Sequence, residues 1–201
     1  MRAVYRDGII GDVENWYRSK IRLLFLGKEP NDRPGLWKEC GGDLTRLFRH
    51  PDRFSENRKR FEKNLGRWTH LIHACTFTQQ PSFEQSTSNA TSALRLCAVV
   101  NLKKSGGIGA SRASSIRAHT SSNWDRIHRQ IMEIRPSIVL CCGTFSFVSR
   151  FLVPKYRISK RSAFADGRFW LDCWHPSARR ISDKRMFDEL LAEFQHIIPF
   201  L

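Results

Sequence analysis

The six cysteines of this 201-residue chain form no Cys-x-x-Cys pair, and the chain has no long apolar run. The usual spacing for zinc or an iron–sulfur cluster is therefore missing, and we expect no metal and no cofactor. No apolar stretch approaches the ~20 residues that a membrane-spanning helix requires. The first residues also lack the apolar core of a signal peptide, so we expect a soluble cytoplasmic protein with reduced thiols.

Acidic residues are scarce relative to basic ones, with 19 Asp and Glu against 34 Lys and Arg. A net charge of +15 repels itself in a folded chain and favours a polyanionic partner. Nucleic acid is the first such partner and an anionic membrane surface the second, whereas solubility alone is the simplest alternative. Because 41% of the residues are apolar, we predict a single domain over residues 1–201 with a substantial core.

Four short runs of apolar, β-branched and aromatic residues predict the strands of a sheet. The runs are residues 22–26, 95–100, 137–142 and 168–174. The first three are continuously apolar, which is typical of strands covered on both faces. Helical spacing of apolar residues follows in 123–134 and 144–152, and Ser182 is the expected N-cap of a last helix. The alternation predicts an α/β fold, a three-layer α/β/α sandwich with a central, mostly parallel four-stranded sheet.

Two polar stretches that are rich in small residues are predicted to be long loops. They are residues 77–93 and 105–122. Loops of this length are uncommon in compact domains and tend to be functional. Cations flank the second stretch, and small residues beside cations suit close approach to a phosphate backbone.

Polar segments follow each predicted strand at the place where an open parallel sheet binds its ligands. These segments are Gly27-Lys28-Glu29-Pro30-Asn31, Asn101-Leu102-Lys103-Lys104, Gly143-Thr144 and His175-Pro176-Ser177. An acid, an amide, a small hydroxyl loop and an imidazole are therefore expected to gather at one edge of the sheet. The pattern predicts a site at that edge.

The four segments, in this order, resemble the motifs of the uracil-DNA glycosylase superfamily over residues 22–180. Residues 27–31 are similar to its Gly-x-acid/amide-Pro-x turn, and residues 175–177 to its His-Pro-Ser turn. Asn101 is similar to its base-reading asparagine, and Gly143-Thr144 to its Gly-Ser loop that holds a DNA phosphate. The resemblance implies a DNA glycosylase, of a branch without an iron–sulfur cluster, which flips a pyrimidine out of DNA and leaves an abasic site.

The resemblance also implies roles for individual residues. Glu29 is expected to stabilise the cation-like sugar and to orient or deprotonate the attacking water. His175 is expected to donate a hydrogen bond to the negative charge that builds on the leaving base. Asn101 can pair with the edge of a pyrimidine through its amide. Phe48, or Trp37 as the second choice, would lie under the flipped base.

Each of these roles has a structural alternative. Glu29 could be a loop acid paired with Lys28 or with an arginine. His175 could brace a proline turn, Asn101 could simply end a strand, and Phe48 could belong to the core. Lys28 is also the amine that a bifunctional glycosylase would need, although the acid-and-water route predicts a monofunctional enzyme.

Basic and small residues around the predicted site are expected to contact DNA, in double- or single-stranded form. They are Lys103, Lys104, Gly143, Thr144, Ser177, Arg179 and Arg180. Arg179 lies where the resemblance implies the wedge that fills the vacated base stack, and a guanidinium can stack there. We expect the protein to act as a monomer.

Asn31 carries a prediction about specificity. The resemblance implies a tyrosine at this place in strict uracil enzymes, where it excludes pyrimidines with a substituent at C5. Asparagine is smaller, which favours a 5-modified pyrimidine, such as modified or glucosylated hydroxymethylcytosine in phage DNA, and hence an anti-phage defence role. Uracil excision in DNA repair is one alternative, and a non-catalytic DNA-binding protein of the same fold is another. An RNA substrate stays open, whereas residues 105–111 lack the full pattern of a dinucleotide-binding loop.

Overall fold

The computed structural model of the chain describes residues 4–31, 39–49, 56–107 and 111–201. Over these residues the protein has an α/β fold that is about 47% helical and contains a mixed sheet of seven strands. The predicted α/β class is confirmed, but the sheet has three more strands than the four predicted.

The helices and strands of the described residues are numbered here in chain order. The strands are β1 (Gly8–Ile9), β2 (Leu23–Gly27), β3 (Cys97–Asn101), β4 (Ile138–Cys142), β5 (Lys155–Arg157), β6 (Ser162–Ala165) and β7 (Arg168–Cys173). The helices are α1 (Val13–Arg18), α2 (Thr45–Arg49), α3 (Glu56–Ala74), α4 (Phe83–Ser88), α5 (Ala90–Ala93), α6 (Ala113–Ile134), α7 (Phe145–Val148) and α8 (Asp183–Gln195). Short 3-10 helices occupy Leu94–Leu96 and Ile198–Phe200.

The four strands predicted from the sequence lie side by side in the middle of the sheet. The sheet order is β1-β3-β2-β4-β7-β6-β5, and the β3-β2, β2-β4 and β4-β7 pairs are all parallel. The other three strands are antiparallel to their neighbours. The carboxyl ends of β3, β2, β4 and β7 therefore meet at one edge. Since β3 and β4 flank β2 on opposite sides, the carboxyl ends of β2 and β4 form the topological switch point, which is where sheets of this kind bind ligands.

Both faces of the central strands are covered, as their apolar runs predict. Leu23 and Phe25 of β2 belong to one core cluster, which also contains residues of α3 and α8. Leu24 and Leu26 belong to a second cluster, which contains residues of α6. Phe25 packs against Trp68 with ring centroids 6.4 Å apart. The burial of β2 on both sides explains why its sequence is continuously apolar rather than alternating.

The two predicted long loops contain helices, so both predictions are wrong. In residues 77–93, Ser82 begins α4 with a capping box, in which its hydroxyl accepts from the Gln85 N–H and the Gln85 side chain accepts from the Ser82 N–H. In residues 105–122, α6 begins at Ala113 and runs into the predicted helix 123–134. Its first turns bury Ile116 and Thr120, and the Thr120 hydroxyl donates to the Ile116 carbonyl. Thr120 lies on the buried face of α6, and its hydroxyl is hydrogen-bonded within the helix. Because threonine is a polar residue type, the sequence did not show the helical spacing of buried positions.

The two ends of the sheet are short or fully exposed. β1 is only two residues long, and all three residues of β5 are exposed, with Lys155 and Arg157 on either side of Tyr156. No helix within the described ranges is long and apolar enough to cross a membrane.

Gly66 provides a test of the packing between α3 and α5. A Cβ at this position would lie 2.0 Å from the Ala90 carbonyl oxygen. Helix propensity alone would make Gly66→Ala stabilising by up to ~1 kcal/mol. We instead expect a loss of about 1–3 kcal/mol in the free energy of unfolding, because the backbones of two helices must separate. Urea denaturation measures it, with Ser122→Ala on the exposed face of α6 as the control. A Gly66→Ala variant as stable as the wild type would contradict the packing.

Candidate active site at the carboxyl edge of the sheet

The chain segments that leave β2 and β3 continue side by side beyond the sheet. The Lys103 N–H donates to the Lys28 carbonyl (2.9 Å), and the Gly107 N–H donates to the Pro30 carbonyl (2.9 Å). Asn31 forms an isolated bridge with Gly107 and is exposed. The segment that carries Lys28 and Glu29 is thus held against residues 103–107.

Glu29 is buried in an ion pair that the sequence did not predict. Its Oε2 lies 2.6 Å from Nζ of Lys103, and the two side chains are only 8% and 11% exposed. A Cβ at Gly107 would lie 2.3 Å from Oε1 of Glu29, so a side chain there would displace the carboxylate from its present position. Oε1 has no hydrogen-bond partner in the described parts of the chain. Lys103 was predicted to contact DNA, but its ammonium is used inside the protein.

Asn101 lies at the end of β3 with its side chain over Gly27. A Cβ at Gly27 would come within 2.6 Å of the Asn101 Oδ1, so the glycine makes room for the amide. The Asn101 N–H donates to Oδ2 of Asp7 (2.7 Å), and its Nδ2 donates to the same oxygen at 3.4 Å. Asp7 therefore determines which way the amide points.

Asp7 is a buried anchor that the sequence analysis missed. Its carboxylate is 1% exposed and accepts from Lys104 Nζ (2.7 and 3.0 Å) and from Gln130 Nε2 (2.9 Å). Burial lowers the pKa of Lys104, against the opposing pull of Asp7. Lys104 was predicted to contact DNA and is instead tied to this anchor. Nothing in the Asp7-Gly8 turn of the sequence distinguishes it from an ordinary surface turn.

Gly143 and Thr144 follow β4 and differ in what they can offer a ligand. Gly143 has φ +64°, a conformation that favours glycine, and its N–H donates to the Cys173 carbonyl (2.8 Å). Thr144 is fully buried, and its hydroxyl donates to the Leu26 carbonyl (2.9 Å). This hydroxyl therefore joins the residue after β4 to the end of β2, and a contact of Gly143-Thr144 with a DNA phosphate stays a prediction.

His175 lies just past β7 and is largely buried, and a hydrogen bond to its ring determines which nitrogen carries the proton. The Ser177 N–H donates to Nδ1 of His175 (3.2 Å), so the ring proton of the neutral imidazole is on Nε2. Burial, with a smaller contribution from the charge of Lys28, lowers the pKa of His175 to about 4. The imidazole is therefore neutral near pH 7 and presents Nε2 as a donor.

The His175-Pro176-Ser177 turn is fastened to α3 and to the start of α8. Nδ2 of the fully buried Asn64 donates to the Pro176 carbonyl (2.8 Å). Arg67 donates to the Asn64 Oδ1 (2.8 Å) and to the Asp183 carboxylate (2.9 Å). Although burial raises the pKa of Asp183, hydrogen bonds from Arg60, Asn64 and Arg67 outweigh it and leave the pKa lowered. This network was missed because its members are far apart in the sequence.

The aromatic ring next to His175 is Phe61 of α3, not Phe48. The Phe61 and His175 rings have centroids 5.7 Å apart, and Phe48 stands behind Phe61 at 6.3 Å. Phe48 is 6% exposed and belongs to the core, which agrees with its structural alternative. Trp37, the second choice, lies outside the described residues.

Three of the predicted DNA contacts lie in the His175-Pro176-Ser177 turn or just after it. Ser177 is partly buried and uses its N–H on His175, whereas Arg179 and Arg180 are exposed. Of the seven predicted DNA contacts, the two arginines are thus the charged side chains that point to solvent.

The segments at the carboxyl ends of the central strands bring a carboxylate, an amide, an ammonium and a neutral imidazole to one edge of the sheet, which is called the rim here. Lys28 reaches toward Gly143 and His175, while its neighbour Glu29 turns the other way, toward Lys103. Such a set can stabilise positive charge on one side and negative charge on the other. Comparison of the chain with protein-family models and with curated proteins returned no match. An α/β fold alone implies no particular activity, so the chemistry of this site is the evidence on function.

The pKa of His175 predicts how stability depends on pH. In the unfolded chain the pKa returns to near 6.5, so between pH 6.5 and about 4 the unfolded state binds more protons than the folded state. We expect the free energy of unfolding of the wild type to fall, relative to that of His175→Gln, as pH is lowered through this window. Urea titrations at stepped pH measure it, with His196→Gln as the control. Parallel curves for the wild type and His175→Gln would contradict the burial of His175.

Proposed function

We propose that the protein is a monofunctional DNA glycosylase that flips out a non-standard pyrimidine, hydrolyses its N-glycosidic bond and leaves an abasic site. The observation that supports this proposal is that Glu29, Asn101 and His175 lie at or just beyond the carboxyl ends of strands in one parallel set. We further propose that these strands and the helices on their two faces correspond to the sheet of the uracil-DNA glycosylase superfamily.

In this proposal Glu29 acts on the sugar. Breaking the glycosidic bond generates a cation-like deoxyribose, and a nearby carboxylate stabilises that charge or orients the attacking water. Lys103 holds one oxygen of Glu29, and Oε1 is the oxygen available to the sugar or the water. Gly107 is consistent with the role, since a side chain at that residue would displace the carboxylate.

His175 acts on the base. Negative charge builds on the carbonyl oxygen of the pyrimidine as the bond breaks, and a preorganised donor lowers the energy of that state. The Nε2–H of the neutral imidazole is such a donor, and the Ser177 N–H keeps the proton on that nitrogen. Asn101, oriented by Asp7, would read the edge of the pyrimidine, and Phe61 supplies the aromatic surface beside it.

The substrate is proposed to carry a group at C5. Asn31 is exposed at the rim opposite Gly107, and a short side chain there leaves room for a 5-substituent. Hydroxymethylcytosine and its glucosylated forms in phage DNA fit this description, which would make the protein an anti-phage defence enzyme. Uracil excision in repair is the alternative within the same chemistry.

A non-catalytic DNA-binding protein of the same fold is the second candidate. The observation in its favour is the buried ion pair between Glu29 and Lys103, which would serve a purely structural role equally well. The net charge of +15 supports DNA binding under either proposal.

The decisive experiment measures bases released from oligonucleotides that each contain one modified pyrimidine, and from phage DNAs, by mass spectrometry. We expect the wild type to release a 5-modified pyrimidine. Glu29→Gln should lower the single-turnover rate by about 10²–10⁴-fold, because the carboxylate charge is lost. His175→Gln should lower it by about 10²–10³-fold through loss of the oxyanion donor.

Glu84→Gln and His196→Gln, both at exposed positions, are the matched controls and should release base at the wild-type rate. Affinity for a duplex of standard bases should be nearly unchanged in all four variants. If the wild type binds DNA but frees no base from any substrate, the non-catalytic alternative replaces the enzyme.

The specificity proposal predicts the effect of Asn31→Tyr. A tyrosine at the rim would fill the space next to C5, so we expect excision of 5-substituted pyrimidines to fall at least tenfold relative to uracil, which is the scale of steric discrimination in a pocket. Rates on matched uracil and 5-hydroxymethyluracil oligonucleotides measure the ratio, and Asn31→Gly is the control. An unchanged ratio would show that Asn31 does not gate the site.

A further inference from the structure

Lys28 is a cation at the site that the proposed mechanism leaves without a role. The neighbouring acids are already engaged, Glu29 with Lys103 and Asp7 with Lys104. Within residues 4–31, 39–49, 56–107 and 111–201, the Lys28 ammonium has no hydrogen-bond or ion-pair partner. Lys28 is partly buried at the proposed site. Keeping an unpaired cation there costs solvation free energy unless a ligand supplies the opposite charge.

Gly143 brings Lys28 and His175 to the same place. A Cβ at Gly143 would lie 3.7 Å from Cε and 3.8 Å from Nζ of Lys28, and 3.8 Å from Cβ of His175. The Lys28 side chain therefore reaches from the end of β2 to the end of β4, where the turn that follows β7 also approaches. Because residue 143 has no side chain, the end of the Lys28 side chain and Cβ of His175 both lie close to it.

The Lys28 ammonium and the His175 imidazole also interact electrostatically, and both are hydrogen-bond donors. The charge of Lys28 contributes to lowering the pKa of His175, which indicates that the two lie close enough to interact. His175 presents a neutral N–H at Nε2, and Lys28 presents a charged donor. Two donors of this kind suit an anionic oxygen, because charge-assisted hydrogen bonds are stronger than neutral ones.

We propose that Lys28, Gly143 and His175 form an anion site that holds the departing pyrimidine as its anion. This inference rests on the proposed glycosylase function. The C1′–N1 bond breaks with its electron pair passing to the base, and the charge spreads to the carbonyl oxygen that Lys28 and His175 contact. Water adds its oxygen to C1′, and its proton passes to Glu29 and finally to the base, which leaves neutral. Lys28 is thus a catalytic residue that acts through its charge and forms no covalent bond.

A backbone phosphate offers the same anionic oxygen as the departing base, so the experiment separates the two sources. Single-turnover release is measured from oligonucleotides that contain 5-fluorouracil or 5-hydroxymethyluracil. Fluorine makes the first base the more acidic, and it therefore leaves with less help. We expect Lys28→Met to slow release of 5-hydroxymethyluracil by about a hundredfold, release of 5-fluorouracil by clearly less, and affinity for standard duplex not at all. Lys28→Arg should retain most of the activity, and Lys20→Met, at an exposed lysine, is the matched control.

A second measurement does not depend on turnover. The His175 ring signals are followed by NMR while free 5-fluorouracil, ionised at alkaline pH, or inorganic phosphate is added. We expect the ionised base to shift these signals in the wild type, at lower concentration than phosphate, and the response to be lost in Lys28→Met. The pKa of His175 should also rise in Lys28→Met, because a neighbouring positive charge has been removed.

Four outcomes would overturn the inference. Equal rates for the wild type and Lys28→Met on both bases would do so, as would an equal slowing on both together with weaker duplex binding, which would make Lys28 a phosphate contact. A covalent DNA adduct trapped by borohydride would make Lys28 a nucleophile instead. An unchanged His175 signal with the ionised base would remove the anion site. If the wild type binds the ionised base but releases no base from DNA, the glycosylase proposal fails while the anion site stands.

Discussion

The parallel pairing of β2 with β3 and β4, and of β4 with β7, is the constraint on which the site depends. The register places Gly27 opposite Asn101 and Cys142 opposite Cys173, so each strand ends at the same level as its neighbour. Both faces of parallel strands are covered by other elements of the protein. The polar residues that follow these strands therefore lie at the carboxyl edge of the sheet. Residues separated by up to about 150 positions in the chain are thus brought together by backbone hydrogen bonds rather than by their own affinity.

Much of the central sheet could be predicted from the sequence, because burial on both faces leaves a continuous apolar run. The three extra strands lack that signature: β5 is Lys155–Arg157, fully exposed, and β1 is two residues long. The first half of α6 was missed for a different reason. Its buried positions include Thr120, whose hydroxyl is satisfied by the preceding turn, so residue type alone does not mark the core face.

For the site, the sequence predicted which residues follow the strands but not which of them pair with one another. Lys103 and Lys104 look like surface cations beside a loop, yet each is buried against an acid. Removing one partner of a buried ion pair typically lowers the free energy of unfolding by about 3–5 kcal/mol. Lys103 and Lys104 therefore stabilise the fold, whatever the function of the site. Asp7 and Phe61 come from distant parts of the chain, and their proximity to the site follows from tertiary packing that no local pattern encodes.

The exposed β5 strand determines how the sheet meets other sheets. An outer strand has unpaired backbone groups that can accept a further strand, which is a common route to aggregation. Here Lys155 and Arg157 flank the outward Tyr156, and two copies of this edge would bring four like charges together. At the other end, β1 is too short to template a growing ladder. Both borders therefore discourage edge-to-edge self-association.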